Sequence, residues 1–369
     1  MLARLSLKNL IHEKVKFVAG LLSVGLAIAL ILTLLGIYLG AITQARSVPE
    51  NSGADYWVVQ EGTRDMFHTV SVLPSGLNDE LNSLAAVDQV SAAINAPTNI
   101  HINGNDKTTG VIAYDTATGL LGPPEIVEGG SISRLGEIVV DRALARAGGL
   151  KIGQTLEIFG QNFTVVGLSG GSNALAFQYI FIGLDDYRKL QDNSERFVNY
   201  YLIKSNAPQS QLQADVEQIV PGSTVRTTAQ VANDNLKVIE DSFLDIILLL
   251  VLVGAAVGTL IISITVYNAT TERARDYAIL KAIGARAGRL RGVAIIQSVI
   301  TAAGGFVIGL ALYGVVQLLA PNFIPQVELK MGAAWVVAVA AFALTMAILG
   351  AVIPIRKINR VDPVEVFNA

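Results

Sequence analysis

The chain has 369 residues, 52% of them hydrophobic and 15% charged, with three histidines, no cysteine and a formal net charge of −3. Mean hydropathy is +0.51, too apolar for an ordinary soluble chain of this length. The composition excludes disulfides and thiolate metal sites, and the slight acidity argues against a nucleic-acid partner.

Residues 1–16 are basic, with Arg4, Lys8, Lys14 and Lys16. Leu7, Leu10, Ile11, Val15 and Val18 recur near helical spacing, which predicts either a cytoplasmic amphipathic helix at the inner membrane surface or a continuation of the span that follows. Four uncharged apolar stretches then punctuate the chain at 17–42, 246–268, 293–320 and 332–355. Each exceeds the roughly 20 residues that a membrane-crossing helix needs. The first also exceeds the 7–15 residues or so of a signal-peptide core, and reads as an uncleaved anchor.

The basic residues fix the expected orientation. They precede the first span, fill 269–292 between the second and third (Arg273, Arg275, Lys281, Arg286, Arg289, Arg291) and follow the fourth (Arg356, Lys357, Arg360), whereas 321–331 has only Lys330. The positive-inside rule therefore predicts both termini and 269–292 to be cytoplasmic at the cell (inner) membrane, with 43–245 and the short loop 321–331 outside. The segment 269–292 cannot itself lie in lipid. Each of its charges would cost about 2.5–3.5 kcal/mol at mid-bilayer, on the order of 20 kcal/mol together.

Residues 43–245 read as a mixed α/β domain. Strands are predicted at 54–60, 108–114, 137–140, 155–159, 163–168, 179–182 and 200–204, and helices at 76–87, 142–147 and 209–219. In the stretch 137–168 a strand, short helix, glycine turn, strand, hairpin and strand follow one another, with positive φ expected at Gly148, Gly149 and Gly153. The Gly148-Gly149 pair lacks the spacing of a phosphate loop. No catalytic or metal constellation stands out; the pair Met66 and His68 is the one local set that could ligate haem iron, against the commoner reading of ordinary surface or core residues.

Glycines recur at four-residue spacing inside the spans: Gly36 and Gly40, Gly254 and Gly258, Gly305 and Gly309. Such pairs let helix backbones approach closely, either between two copies or, the default, within one. No span carries Asp, Glu, Lys, Arg or His, which disfavours ion coupling, and no inverted repeat or nucleotide-binding motif is present. Any transport energy must come from elsewhere. In 270–286, Ile279, Leu280 and Ile283 form a small apolar face, Arg273 and Asp276 pair at i,i+3, and Gly284 is placed to end the helix: a short amphipathic lever or a solvated turn.

The run Thr271-Glu-Arg-Ala-Arg-Asp-Tyr-Ala-Ile-Leu-Lys-Ala-Ile-Gly-Ala closely resembles the signature of FtsX-like permeases, the membrane subunits of MacB-type (type VII) ABC transporters, just after their second span. The run Ile353-Pro-Ile-Arg-Lys-Ile-Asn-Arg-Val-Asp-Pro resembles the closing motif of that family, in which Asp362-Pro363 is typical, and residues 129–168 resemble the core of its external domain. One departure is Asp276-Tyr277, where the family usually has Glu-Ile or Glu-Phe; charge and bulk are kept.

The resemblance implies four transmembrane helices with a large MacB-like extracytoplasmic domain between the first and second. It also implies a dimer with itself or a similar permease, lipid contact, and a cytoplasmic ATPase subunit that binds ATP and magnesium and docks on Glu272, Arg273, Asp276, Ile279, Leu280, Ile283 and Gly284. This chain would bind no cofactor and hydrolyse nothing. Its role would be mechanotransmission from the ATPase to the external domain, possessing in some members a periplasmic adaptor, with lipoproteins, peptides, antibiotics, haem or lipids among the family's substrates. Two competing functions are a regulator of an extracytoplasmic cell-wall hydrolase and a haem efflux permease resting on Met66 and His68.

Overall fold

The computed structural model describes residues 14–360, apart from 68, 103, 175–176, 191–195 and 284. The expected roles of His68, Gly284 and Asp362-Pro363, and most of the expected N-terminal helix, lie outside the described residues. The chain divides into two compact units: one built from residues up to 39, 244–319 and from 329 on, the other from 40–243 and 320–328.

The first unit is helical. It draws on α1 (Lys14–Glu50), α6 (Thr228–Glu272), α7 (Ala274–Ala282), α8 (Ala287–Phe323), α9 (Ala333–Gly350) and α10 (Val352–Arg360). Among the described residues four helices are long and apolar enough to cross a membrane, and α1 is the most enclosed of them. Val24, Ile28, Ile31 and Leu32 of α1 pack with Ala255 and Ile262 of α6, Ala302 and Tyr313 of α8, and Val339, Ala343 and Met346 of α9. Leu249, Leu252 and Leu260 of α6, Val307 and Leu318 of α8 and Val337 and Leu349 of α9 stay exposed, as lipid-facing side chains are in a spanning bundle. The helices overrun the apolar stretches. Helix α1 continues to Glu50, and α6 begins at Thr228, so 228–243, read from sequence as part of the α/β domain, is the N-terminal portion of a 45-residue helix. Lys14 to Lys16 continue the first span as helix.

The second unit is built on a mixed sheet. Its strands are β1 (Tyr56–Gln60), β3 (Gln89–Ile102), β4 (Asn105–Tyr114), β5 (Glu125–Gly129), β6 (Glu137–Asp141), β7 (Thr155–Ile158), β8 (Gln161–Gly170), β9 (Asn173–Ala174), β10 (Phe177–Gly183), β12 (Tyr200–Lys204) and β13 (Ser223–Thr227). The order is β13-β1-β12-β3-β4-β10-β6-β8-β5, with β7 on β8 and β9 on β10; β4/β10 and β6/β8 run parallel. A separate ribbon pairs β2 (Leu73–Pro74) with β11 (Phe197–Val198).

Strand alternation gives this sheet two cores. Val58, Val111, Ile138, Val140, Ile180, Ile182, Tyr201 and Ile203 face one side, where α2 (Asn78–Asn82), α3 (Arg142–Gly148), α4 (Leu184–Leu190) and α5 (Gln209–Ile219) supply Leu81, Leu144, Leu184 and Leu212. Trp57, Val59, Ile112, Val139, Phe181 and Leu202 face the other, and are met by Val48 of α1 and Val231 of α6. The free edge of β13 is satisfied by glutamines: Gln213 Oε1 accepts from Val225 N at 2.7 Å, and Gln209 Nε2 donates to Val225 O at 2.8 Å.

Three local expectations change. Strand β3 escaped the sequence reading because its Ala, Asn and Pro97 have low strand propensity. Pro97 is tolerated because β12 pairs only with Gln89–Ala93, leaving that edge open farther along. The helix expected over 76–87 is only Asn78–Asn82. Gly149 (φ 62) and Gly153 (φ 87) need positive φ, but Gly148 does not; it is small because a Cβ there would lie 2.4 Å from Ile102 Cγ2.

Candidate functional site

The end of the helical unit where α6, α7, α8 and α10 meet is a small core of its own. The long α6 breaks at Arg273 (φ −108, ψ 22), and α7 resumes one residue later with Asp276 in its first turn. Arg273 Nη1 lies 3.7 Å from Asp276 Oδ2. Tyr277 is buried with Val266, Leu290, Val293, Ala294 and Ile358, and Leu280 packs beside it with Ile355. Ile279 and Ile283 point the other way, 41% and 74% exposed.

The apolar face expected from Ile279, Leu280 and Ile283 is therefore divided. Leu280 sits three residues after Tyr277 and shares its inward face, while Ile279 and Ile283 sit four apart on the outward one. Three aliphatics stand close together in the sequence, but the buried Tyr277 claims the middle one.

Polar ties brace this end. Glu272 Oε1 accepts from Lys16 Nζ at 2.7 Å. Lys281 Nζ donates to the carbonyls of Ile358 at 2.9 Å and Asn359 at 3.2 Å, placing a cation at the C-terminus of α10 where the helix dipole favours it. Arg291 Nε donates to Asn359 Oδ1 at 3.0 Å. The outward surface left over is aliphatic at Ile279 and Ile283 and basic at the exposed Arg275, Arg286 and Arg289.

The paired glycines meet neighbours in the same chain. A Cβ at Gly36 would fall 2.9 Å from Tyr313 Oη, at Gly258 2.3 Å from Met346 Cε, at Gly305 2.4 Å from Val24 Cγ1, and at Gly309 2.8 Å from Ile28 Cγ2; Gly254 has more room, 3.3 Å from Ile31 Cγ1. Gly40, in the sheet unit, is the tightest, with 1.8 Å to the carbonyl oxygen of Glu328.

In the sheet unit, the C-terminal end of α1 and the N-terminal end of α6 form a stem held by one asparagine. Asn235 is 1% exposed; its Oδ1 accepts from Met66 N at 2.9 Å and its Nδ2 donates to Ala45 O at 3.1 Å. Ala41, Ala45 and Ile239 pack alongside. Thr228 Oγ1 accepts from Trp57 Nε1 at 3.1 Å and donates to Ala54 O at 2.5 Å, rooting the start of α6 in the sheet. Arg226 pairs with Asp234 and reaches Thr63 O at 3.2 Å. Nothing in the sequence marked Asn235, because its partners are backbone groups far away in the chain.

Met66 is 7% exposed and packs in the core with Trp57 and Tyr200, so the pairing with His68 as haem ligands gains no support: an axial sulfur must face an open site. His101 instead pairs with Asp106 at 2.8 Å on the surface. Among the described residues no group of His, Cys, Asp and Glu could hold a metal ion.

A polar cleft of about 450 Å³ opens beyond the ends of β4 and β10, lined by Asp115, Arg134, Asp185, Asp186 and Arg188. Much of its polar chemistry is already engaged. Asp115 Oδ1 accepts from Ala117 N, and Asp186 Oδ2 from Gly136 N at 2.8 Å. Glu137 beside it accepts from Ser133 N, Ser133 Oγ and Arg134 N, and the backbone donor of Ser133 lowers its carboxyl pKa. Asp141, which caps α3 through Ala143 N and Leu144 N, is shifted upward by burial despite the hydrogen bond from Ser172. Burial likewise pushes the Tyr200 hydroxyl up to about 12.

Two family models match the chain: the MacB-like periplasmic core domain over residues 19–219 and the FtsX-like permease C-terminal domain over residues 248–363. An uncharacterized ABC transporter permease of Mycobacterium tuberculosis is 25% identical over 364 residues, covering 98% of both chains. A probable syringafactin export ATP-binding/permease protein of Pseudomonas syringae pv. tomato is 30% identical over 122 residues, 33% of this chain and 18% of that protein. The periplasmic region of MacB from Actinobacillus actinomycetemcomitans aligns with a TM-score of 0.40 at 10% identity, over 49% of this chain and 92% of that one.

Proposed function

This chain belongs to the FtsX-like permeases with a MacB-like periplasmic core domain, and from that premise we propose that it transmits the movement of a separate cytoplasmic ATPase to its external domain, for export or extraction of a substrate. As an ABC transporter permease it implies an ATPase partner. The observation that carries the finer reading is the divided face of α7. Tyr277 and Leu280 fasten the segment to its own unit, while Ile279 and Ile283 stay outside amid Arg275, Arg286 and Arg289.

Two outward isoleucines rimmed by basic side chains offer an ATPase an apolar contact with a charged border, and we take that surface as its docking site. Closure of the ATPase against that surface would press on α7. Because Tyr277 and Lys281 tie α7 to α8 and α10, and Arg291 ties α8 to α10, the push would reach several helices at once. The outer ends of α1 and α6, locked by Asn235 and Thr228, would then carry the displacement into the sheet. Two copies, or one copy and a similar permease, would act together in the inner membrane.

Two experiments test this reading. The chain has no native cysteine, so single cysteines can be placed cleanly at the exposed Ser210 and Ala282. An impermeant thiol reagent added to intact cells should label Ser210→Cys and spare Ala282→Cys; the reverse pattern would invert the orientation. The purified chain should hydrolyse no ATP until its ATPase is added, and hydrolysis by the chain alone would refute the division of labour.

A further inference from the structure

The stem is one route into the external domain, and the contacts of the α8–α9 connection supply another. Residues 320–328 belong to the compact unit of the sheet. Asn173 Nδ2 donates to the carbonyl of Gln326 at 2.5 Å, and Gly40 of α1 lies against the carbonyl of Glu328. Since Gln326 presents a carbonyl, only the NH2 edge of the amide can face it, which fixes the orientation of the side chain. Asn173 is 6% exposed, and its Oδ1 is buried without a partner. This one side chain joins backbone segments 153 residues apart in the chain.

The segment bearing Asn173 is itself held rigidly. Ser172 Oγ donates to Asp141 Oδ2 at 2.7 Å and is 2.5 Å from Ser169 Oγ, all three buried, so the turn is bolted to the start of α3. Gly171, at φ +69, passes Ser47 of α1 so closely that a Cβ would lie 2.6 Å from its Oγ. Within residues 171–173 the chain thus touches α1, the N-terminus of α3 and the α8–α9 connection.

We propose that Asn173 is a positioning residue that joins the 320–328 connection to the sheet domain, so that movement of α8 and α9 enters the domain directly, beside the route through the α1/α6 stem. This rests on the reading of the chain as a mechanical transmitter. In that arrangement the connection and the turn at 169–173 travel as one body, and the hydrogen bond between them persists through the ATP cycle.

The test uses the full permease with its ATPase in phospholipid vesicles. A donor dye is attached through an unnatural amino acid at Leu135, which is 63% exposed, and acceptor dyes are placed on lipid headgroups; the readout is the ATP-dependent change in energy transfer. The change should fall about twofold or more in Asn173→Ala, with hydrolysis retained. In the double variant Asn173→Cys with Gln326→Cys it should be equally weak until a short thiol-specific reagent bridges the two positions, and then return to the wild-type size. A purely structural role would lower thermal stability without this rescue. An undiminished response in Asn173→Ala, or a bridged variant whose cycle stops, overturns the proposal while leaving the stem route standing. If Asn173→Ala does not fold, the double variant with and without the bridge decides alone. A wild-type complex that shows no ATP-dependent change refutes mechanical transmission itself, and the route through the α8–α9 connection with it.

Discussion

The sheet domain and the helical unit bury themselves by different rules. In the sheet, Val58, Val139, Phe181 and Tyr201 each sit between neighbours that face the opposite core, so alternate side chains carry the packing. In the helices almost every residue is apolar, and what distinguishes the packed face is the absence of side chains at Gly258, Gly305 and Gly309. The difference follows from the solvent. Water makes every second residue of a two-sided sheet choose a side, whereas lipid is as apolar as leucine and leaves close backbone approach as the remaining selector. The sheet should therefore respond most to lost polar partners, and the helices to added methyl groups.

Substitutions at the tightest contacts sharpen that contrast. Gly40→Ala should have the largest effect, about 3 kcal/mol, because its new Cβ would meet backbone at Glu328, which cannot rotate away. Thermal unfolding in detergent measures it, and Gly254→Ala, where a neighbouring side chain can yield, should stay close to wild type. A wild-type melting curve for Gly40→Ala would show that the close approach is not needed.

Next in size is Asn235→Ala, at about 2–3 kcal/mol, since it leaves Ala45 O and Met66 N without their partner inside the stem. The same assay serves, and hydrogen exchange should rise at Met66 and along the outer turns of α6 before it rises in the sheet. Uniform exchange across the domain would mean that the stem is not the part held by Asn235.

A smaller effect is expected from acid. The carboxyl of Glu137 is lowered by donors from Ser133 and Arg134, so its contribution is present above the ordinary glutamate value of about 4.3 and is lost as pH falls through its lowered folded value. Glu137→Gln should flatten the acid limb of the stability profile while leaving neutral pH nearly unchanged. An unaltered acid limb would assign that sensitivity elsewhere.

Legibility from sequence followed the same division. The strand at 200–204 and the helix at 209–219 were readable because Tyr200-Tyr201-Leu202-Ile203 is an unbroken aromatic and aliphatic run in one and Leu212 and Val216 mark the buried face of the other. The four spans were readable from apolar length, but their partners were not, because uniform hydrophobicity has no phase. Strand β3 was hidden by alanine, asparagine and Pro97, whose tolerance depends on which neighbour happens to stop pairing. In the segment 270–286, Arg273 and Asp276 stood out by spacing, whereas the division of the aliphatic face depended on Val266, Leu290 and Ile358, which come together with Tyr277 only in the fold. Asn173 and Asn235 were invisible for a further reason: each binds backbone groups, which leave no trace in residue identity.

The central claim is that the exposed half of α7 is where an ATPase presses, and Ile283→Asp tests it most directly. With Ile283 74% exposed, the substitution should leave membrane abundance and melting unchanged. Burying an unpaired carboxylate against a partner costs several kcal/mol, enough to abolish co-purification with the ATPase and the stimulation of its hydrolysis. A variant that inserts and folds normally yet still co-purifies with the ATPase and stimulates it at wild-type levels would contradict the account.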